Sequence, residues 1–292
     1  MLLLVLWGTL LIVAFAFIYQ GLGPRFQSQA GKIDLSTLLY MSGSTFLTLG
    51  LGDVTSDDPI GRLFIFLEAG VGYTFLAMII TYMPLLHQAY GVREVGNVLI
   101  QARAGRPPGG ISLLRRYTGS DYGEILRSNL REGERWIADV LQSHQSHPTL
   151  CFYRSQHWGE SWLVSLTTIL DSSALLISGG EGLAATQARL TYRMGLRLLK
   201  DLTYALGIQA DLELQGRLTE ANLPAIIAAA EASGLPLSFG SGANLELLRL
   251  VRRFDVYLIP LAAWLVISLP PWIPPERAGR DQDRDELEDG GD

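Results

Sequence analysis

The sequence predicts an all-α membrane protein: two transmembrane helices enclosing a re-entrant helix and a glycine-punctuated loop, then a mainly α-helical cytoplasmic domain. Three observations predict it. No charged side chain occurs from Met1 to Gln20, whereas residues 276–292 hold eight acids and three arginines, so most of the net charge of −6 belongs to the tail. Two apolar runs, 2–19 and 60–83, have the length that a bilayer's hydrocarbon requires. The segment 35–47 between them is too short to span and too apolar for a solvated loop.

The first span, LLLVLWGTLLIVAFAFIY at 2–19, is eighteen uncharged residues and covers roughly 27 Å as a helix. It lacks a basic n-region and exceeds a usual signal core, which predicts a retained span rather than a cleaved signal. The second span, 60–83, carries Arg62 near its start and Glu68 inside; Pro59-Ile60-Gly61 reads as a helix start and Pro84 as a kink or an end. Arg93, Arg103, Arg106, Arg115 and Arg116 follow this span with Glu94 as the one acid among them. That excess places the following segment, and with two spans both termini, on the cytoplasmic side of a plasma (inner) membrane.

Between the spans, Asp34 caps a helix predicted over 35–47, LSTLLYMSGSTFL. Thr48-Leu49-Gly50-Leu51-Gly52-Asp53 follows it. Non-helical backbone at membrane depth is tolerated only where protein buries it or water reaches it. Glycine at every second position permits positive φ. Successive carbonyls of Thr48, Leu49, Gly50 and Leu51 can then share one direction and replace the water around a small cation. An anion would need amide hydrogens or basic side chains instead.

Span, re-entrant helix, TLGLGD and span together resemble the pore module of potassium channels, over residues 1–90. Thr48-Leu49-Gly50-Leu51-Gly52-Asp53 is similar to that family's Thr-Val-Gly-Tyr-Gly-Asp, Ser42 and Thr45 to its pore-helix hydroxyls, and 59–63 to the start of its inner helix. The resemblance implies a homotetramer in a lipid bilayer, with residues 48–53 as a selectivity filter for monovalent cations. It implies permeant K+ and no cofactor, ion-binding at Thr48, Leu49, Gly50, Leu51 and Gly52, and Asp53 at the pore mouth. It also implies a Thr48 hydroxyl at the inner end of the filter. Leu51 stands where the family has Tyr or Phe, Leu49 where it has a β-branched residue, and Leu47 where threonine is frequent. These departures leave the carbonyl chemistry intact and put filter stiffness, hence selectivity, in question.

Glu68 has two readings: an intramembrane carboxyl on the ion path, or a hydrogen bond to the back of its own pore helix, supporting the filter with Ser42 and Thr45. Gly70, Gly72 and Pro84 read either as the hinge of an inner gate or, for the glycines, as close helix packing.

Beyond residue 90 the composition predicts a linker over 91–116, a helical cytoplasmic domain over 117–275 and a disordered acidic tail over 276–292. Gly180-x-Gly182-x-x-Ala185 imitates a dinucleotide fingerprint with Asp201 downstream, but helical spacing leads into the glycines where a strand is required, so it reads as a helix–helix turn. Residues 254–269 hold Asp255 and Pro260 and suit a buried helix better than a third span. The stretch Tyr153-Arg-Ser-Gln-His157, with Trp162 and Leu170-Asp171, resembles the uncharacterised C-terminal region of some bacterial ion-channel proteins; an unknown cytoplasmic ligand and a regulatory or assembly role follow from that architecture alone. Cys151 is the single cysteine and the four histidines lack metal spacing; no catalytic constellation, P-loop or nucleic-acid surface emerges. The sequence thus predicts a non-enzymatic tetrameric cation channel with potassium preferred. Its rival is a membrane-anchored sensor or scaffold whose pore is vestigial or non-selective.

Overall fold

A computed structural model describes residues 2–28, 31–105, 108–117, 122–155 and 161–273. The chain forms two compact units, 1–87 and 88–292. The acidic tail 276–292 lies outside the described residues, as does His157.

The first unit contains α1 (Leu2–Leu22), α2 (Leu35–Phe46) and the start of α3 (Pro59–Ala104). Two short strands, β1 (Gln27–Ser28) and β2 (Val54–Thr55), pair antiparallel and so close the segment that holds α2 and the loop after it. Asp58 fixes the turn into α3: its Oδ2 accepts from the Ile60 and Gly61 amides at 3.0 Å, and Arg25 pairs with it at 2.8 Å. A core of Ala16, Tyr19, Phe26, Leu38 and Met41 joins α1 to α2. Most of the remaining surface of α1 and of the first part of α3 is apolar. Only 17% of the most apolar window of α1 and 11% of that of α3 is buried, so these helices present greasy side chains such as Phe66, Tyr73 and Ile80 outward. Such helices need hydrocarbon or further protein around them.

The second unit holds the rest of α3, α4 (Gly110–Arg115), α5 (Tyr122–Ser146), a 3-10 turn (Pro148–Phe152), α6 (Trp162–Gly179), α7 (Gly182–Ala205), α8 (Leu223–Glu231) and α9 (Ser241–Leu265). Helix α6 is also apolar and long enough to cross a membrane, but 89% of it is buried, packed by α4, α7 and α9. Its hydrophobicity is satisfied inside the domain. The Gly180–Gly182 segment is the turn between α6 and α7. Residues 254–265 belong to α9, with Phe254, Leu258 and Leu261 fully buried in the core.

Of the two readings of Pro84, a kink or an end, the structure excludes the end, because α3 continues through it to Ala104. The predicted linker over 91–116 is largely ordered helix. Arg93, Asn97, Ile100, Gln101 and Ala104 are buried at helical spacing on one face of α3, and Ile111, Leu113 and Leu114 of α4 enter the same core. Three of those α3 positions are polar, which hid the stripe from a hydrophobic reading.

Arg93 is the centre of that packing. It is 1% exposed and donates to the carbonyls of Leu150 (2.9 Å) and Tyr153 (2.7 Å), pairs with Glu94 and stacks on Tyr90. Its own carbonyl accepts from Trp136 Nε1 at 3.0 Å. Beside it, burial and the Arg93 charge hold His144 down at about 4, and His144 Nδ1 lies 2.8 Å from the Val140 carbonyl. Across the core, Arg217 grips Asp171 of α6 bidentately (2.7 and 3.1 Å) and Asp255 of α9 (3.0 Å). These two carboxylates hold the Arg217 guanidinium above its ordinary value, while burial pushes Asp171 up to about 6.

Candidate functional site

The site is built from the C-terminal end of α2 and the loop that leaves it. Asp34 starts the helix as expected of a cap, accepting from the Thr37 amide at 2.9 Å. At the other end the last carbonyls of any helix lack intrahelical partners. Here the loop supplies them. Leu47 N donates to the Gly43 carbonyl and Thr48 N to that of Thr45, both at 3.0 Å. The Ser44 carbonyl takes Leu49 N at 2.8 Å and Gly50 N at 3.4 Å, and the Ser44 hydroxyl faces Leu51 N at 3.4 Å.

Those three contacts fix where the oxygens go. In a planar trans peptide the N–H of one residue opposes the C=O of the residue before it. Amides of 49, 50 and 51 turned onto Ser44 therefore send the carbonyls of Thr48, Leu49 and Gly50 the opposite way. The backbone does this by alternating the sign of φ: Thr48 (60°), Gly50 (58°) and Gly52 (77°) are positive, and Leu49 and Leu51 are not. Glycine makes two of these conformations easy. Threonine does not, being β-branched, so Thr48 holds a strained geometry. With the amides of 48–51 engaged and Arg25 and Arg62 paired to Asp58 and Asp57, this stretch offers an anion little. It offers a cation a row of neutral oxygens.

Supports surround the loop. Glu68, buried on α3, is joined by the Tyr19 hydroxyl of α1 and by the Ser42 hydroxyl of α2. Ser42 Oγ also lies 2.8 Å from the Ile12 carbonyl. Two hydroxyls supply two hydrogens for three contacts, so the set is complete when the carboxyl carries the third. Glu68 thus ties three helices together directly behind α2. Gly72 of α3 meets the end of α2 so closely that an added Cβ would overlap the Phe46 carbonyl. Gly70, by contrast, faces open space. Asp53 lies near the Tyr40 hydroxyl of α2. Thr45 and Ser44 line a cavity of about 280 Å³ between loop and helix, together with Leu51 and Asp53.

The structure therefore sets Thr45 beside residues 50–53, packs Gly72 against Phe46 at the end of α2, and joins Ser42 of α2 to Glu68 of α3, while Gly70 meets nothing within 4 Å. Ser44, Tyr19, Tyr40 and Phe46 were not singled out by the sequence reading. Tyr19 carried a signal: a phenolic hydroxyl too far from the backbone to bond its own helix, as Thr9 does, needs a partner, and Glu68 is the carboxyl available in the second span. Ser44 carried only its place, four residues before Thr48.

Residues 2–84 match the family model described as Ion channel. No curated protein and no solved structure matches the chain. The match supports an ion channel in a membrane, with a transport rather than an enzymatic role, and it ends at Pro84, well short of the second unit. Among the described residues no group of three or more His, Cys, Asp or Glu gathers to hold a metal.

Proposed function

We propose that the chain is one subunit of a homotetrameric channel of the plasma (inner) membrane that conducts monovalent cations passively, potassium preferred. Residues 48–52 of four copies form the selectivity filter, Asp53 attracts cations to its mouth, and both termini are cytoplasmic. The observation that carries this reading is the engagement of the 49–51 amides by Ser44, which leaves consecutive carbonyls turned away from α2. Carbonyl oxygens of this kind replace the hydration shell of a dehydrating cation. One copy supplies too few oxygens to surround an ion, hence the tetramer.

Gating belongs to the inner helix. Gly70 has room on its open side, and its carbonyl also takes the Thr74 hydroxyl at 2.8 Å. Pro84 has no N–H for the Ile80 carbonyl. These two points are where α3 yields most easily, and the domain gripping Arg93 acts on the same helix, under a cytoplasmic ligand or stimulus.

The test is purified full-length protein in liposomes under a potassium gradient, compared with sodium. Potassium-selective flux that vanishes in Gly50→Ala is the expected result, because alanine resists φ of 58°. Absence of any cation flux from the unaltered protein would favour the scaffold with a vestigial pore.

A further inference from the structure

Helices α7 and α9 of the second unit lie side by side and run the same way. The Tyr192 hydroxyl donates to the Leu250 carbonyl at 2.8 Å, the Tyr192 and Phe254 rings are 6.1 Å apart, and Lys200 Nζ stands 5.6 Å from the centre of the Tyr257 ring. The outward faces of both helices are basic. Arg189, Arg193 and Arg197 recur every fourth residue on α7, and Lys200 follows less than a turn later. Arg249 and Arg253 repeat the spacing on α9, and all six side chains are exposed. Burial pushes the Tyr192 hydroxyl up to about 12, and Arg253 is near enough for its charge to oppose that shift, which sets Arg253 at the seam between the two helices.

Little on these faces balances the charge. Arg197 pairs with Asp201 at 3.4 Å, while Asp255 of α9 is turned inward onto Arg217. Among the described residues no carboxylate pairs with Arg189, Arg193, Lys200, Arg249 or Arg253. Like charges one turn apart repel and destabilise a helix. A face built this way is stabilised by an anionic occupant.

The chain itself carries such an occupant. Residues 285–292 hold five acids and no base. They follow a point of the fold that lies close to the seam. Arg217 Cζ is 5.6 Å from the centre of the Phe254 ring and 5.5 Å from that of the Trp272 ring, which bounds the separation of the two rings at about 11 Å. Phe254 is the residue after Arg253, so the backbone at Trp272 comes within roughly 25 Å of the backbone at Arg253 once side-chain lengths are allowed for. Thirteen residues lead from Trp272 to Asp285. An extended chain of that length spans up to about 43 Å. The tether therefore reaches the seam with slack, and a tethered group acts at an effective concentration on the order of mM. Exposed ion pairs are individually weak and screened by salt, so the contact needs several pairs together with the tether.

We propose that the acidic segment 285–292 docks on the basic seam of α7 and α9 in its own chain, against Arg193, Lys200, Arg249 and Arg253, and masks that face from other anions. The contact lies within the second unit, 88–292, and does not rest on the pore reading.

The test uses the two lysines of the chain, Lys32 and Lys200. A water-soluble carbodiimide joins a carboxyl to a lysine amine with loss of water and leaves arginine untouched. Full-length protein is coupled in detergent at about 0.05 M and about 0.5 M salt, digested, and the linked peptides are measured by mass spectrometry. The expected product joins Lys200 to a carboxyl of 285–292. Its yield should fall several-fold at the higher salt, and several-fold in a variant combining Arg193→Gln, Arg249→Gln and Arg253→Gln, three exposed positions. Absence of this product at low salt, linkage to Lys32 alone, or a yield indifferent to both salt and the substitutions would overturn the proposal. The salt series on the unaltered protein stands by itself if the variant folds poorly. In protein co-produced from light and heavy isotopes, the linkage should join like with like; light–heavy products as frequent as like pairs would mean that a neighbouring copy's segment occupies the seam, and would overturn docking in the same chain. Loss of the product on adding phosphatidylglycerol vesicles but not phosphatidylcholine vesicles would assign the face to anionic lipid and equally overturn the proposal.

Discussion

Gly72→Ala is the most informative single change. An ideal Cβ at position 72 falls 2.7 Å from the carbonyl carbon and 2.8 Å from the Cα of Phe46, and nearer still to the carbonyl oxygen. Ordinary contact begins near 3.4 Å, so α2 must retreat by about 0.7 Å or more. Phe46 is two residues from Thr48, and functional geometry tolerates displacements of only about 0.5 Å. Overpacking of this kind costs about 1–3 kcal/mol, against roughly 1 kcal/mol gained in helix propensity. The expected outcome is a lower melting temperature in detergent and a clear loss of potassium-over-sodium selectivity in liposome flux. Gly70→Ala, with nothing within 4 Å, should melt no lower than the parent. Because the obstacle is main chain, adding Phe46→Ala should not rescue Gly72→Ala. A Gly72→Ala protein with the parent's melting temperature and selectivity would refute the reasoning, and rescue by Phe46→Ala would show that the contact is with the ring.

Glu68→Gln should retain flux and stability, since an amide can accept from Tyr19 and donate to Ser42. Glu68→Leu should leave two buried hydroxyls without partners, at about 1–3 kcal/mol each, seen as a lower melting temperature; equal melting of the two variants would contradict the tie. His144 is depressed to about 4 when folded, so the unfolded chain takes up its proton first. Stability from this group is complete above pH 6.5 and is lost as pH falls toward 4, by roughly 3 kcal/mol in all. Asp171, raised to about 6, acts in the opposite sense over the same window, so the measurement is the melting-temperature difference between His144→Gln and parent. That difference should move in the variant's favour as pH falls from 6.5 to 4, and a constant difference would exclude the assignment. Val266→Gly relieves a left-handed β-branched residue (φ 55°) and should raise the melting temperature by the equivalent of about 1 kcal/mol; a lowered melting temperature would mean that the side chain packs.

Much of the first unit was legible because its physics is one-dimensional. An uncharged run of eighteen residues and a capped run of thirteen announce themselves by length, and TLGLGD by its glycines. What was illegible is what depends on partners remote in sequence. The Tyr19–Glu68 and Ser42–Glu68 contacts join positions 49 and 26 residues apart. The β1–β2 pair is two residues per strand, too short for any periodicity. In the second unit, Arg93, Asn97 and Gln101 fall in the predicted linker, yet they are buried; Arg93 is met by the carbonyls of Leu150 and Tyr153 and by the ring of Trp136, and Asn97 by the Ser155 hydroxyl. Gly96 marks the same approach, since a Cβ there would overlap Trp136. Polar burial defeats a reading that equates inside with apolar.

Thr48 shows why the loop has this sequence and not a simpler one. Three positions need positive φ, and two of them are glycine. A third glycine at 48 would remove roughly 1–2 kcal/mol of strain. It would also remove the only side-chain oxygen in the row. The chain retains threonine and offsets the strain with the Ser44 contacts, of which the 2.8 Å bond from Leu49 N is the strongest. A net hydrogen bond contributes about 1 kcal/mol, comparable to the strain, so the arrangement is balanced rather than stable by a wide margin. A loop with no use for an extra oxygen has no reason to bear that strain, and a glycine would serve it better. The unfavourable residue is therefore the one that points most directly to function, and the helix end that offsets it belongs to the site as much as the oxygens do.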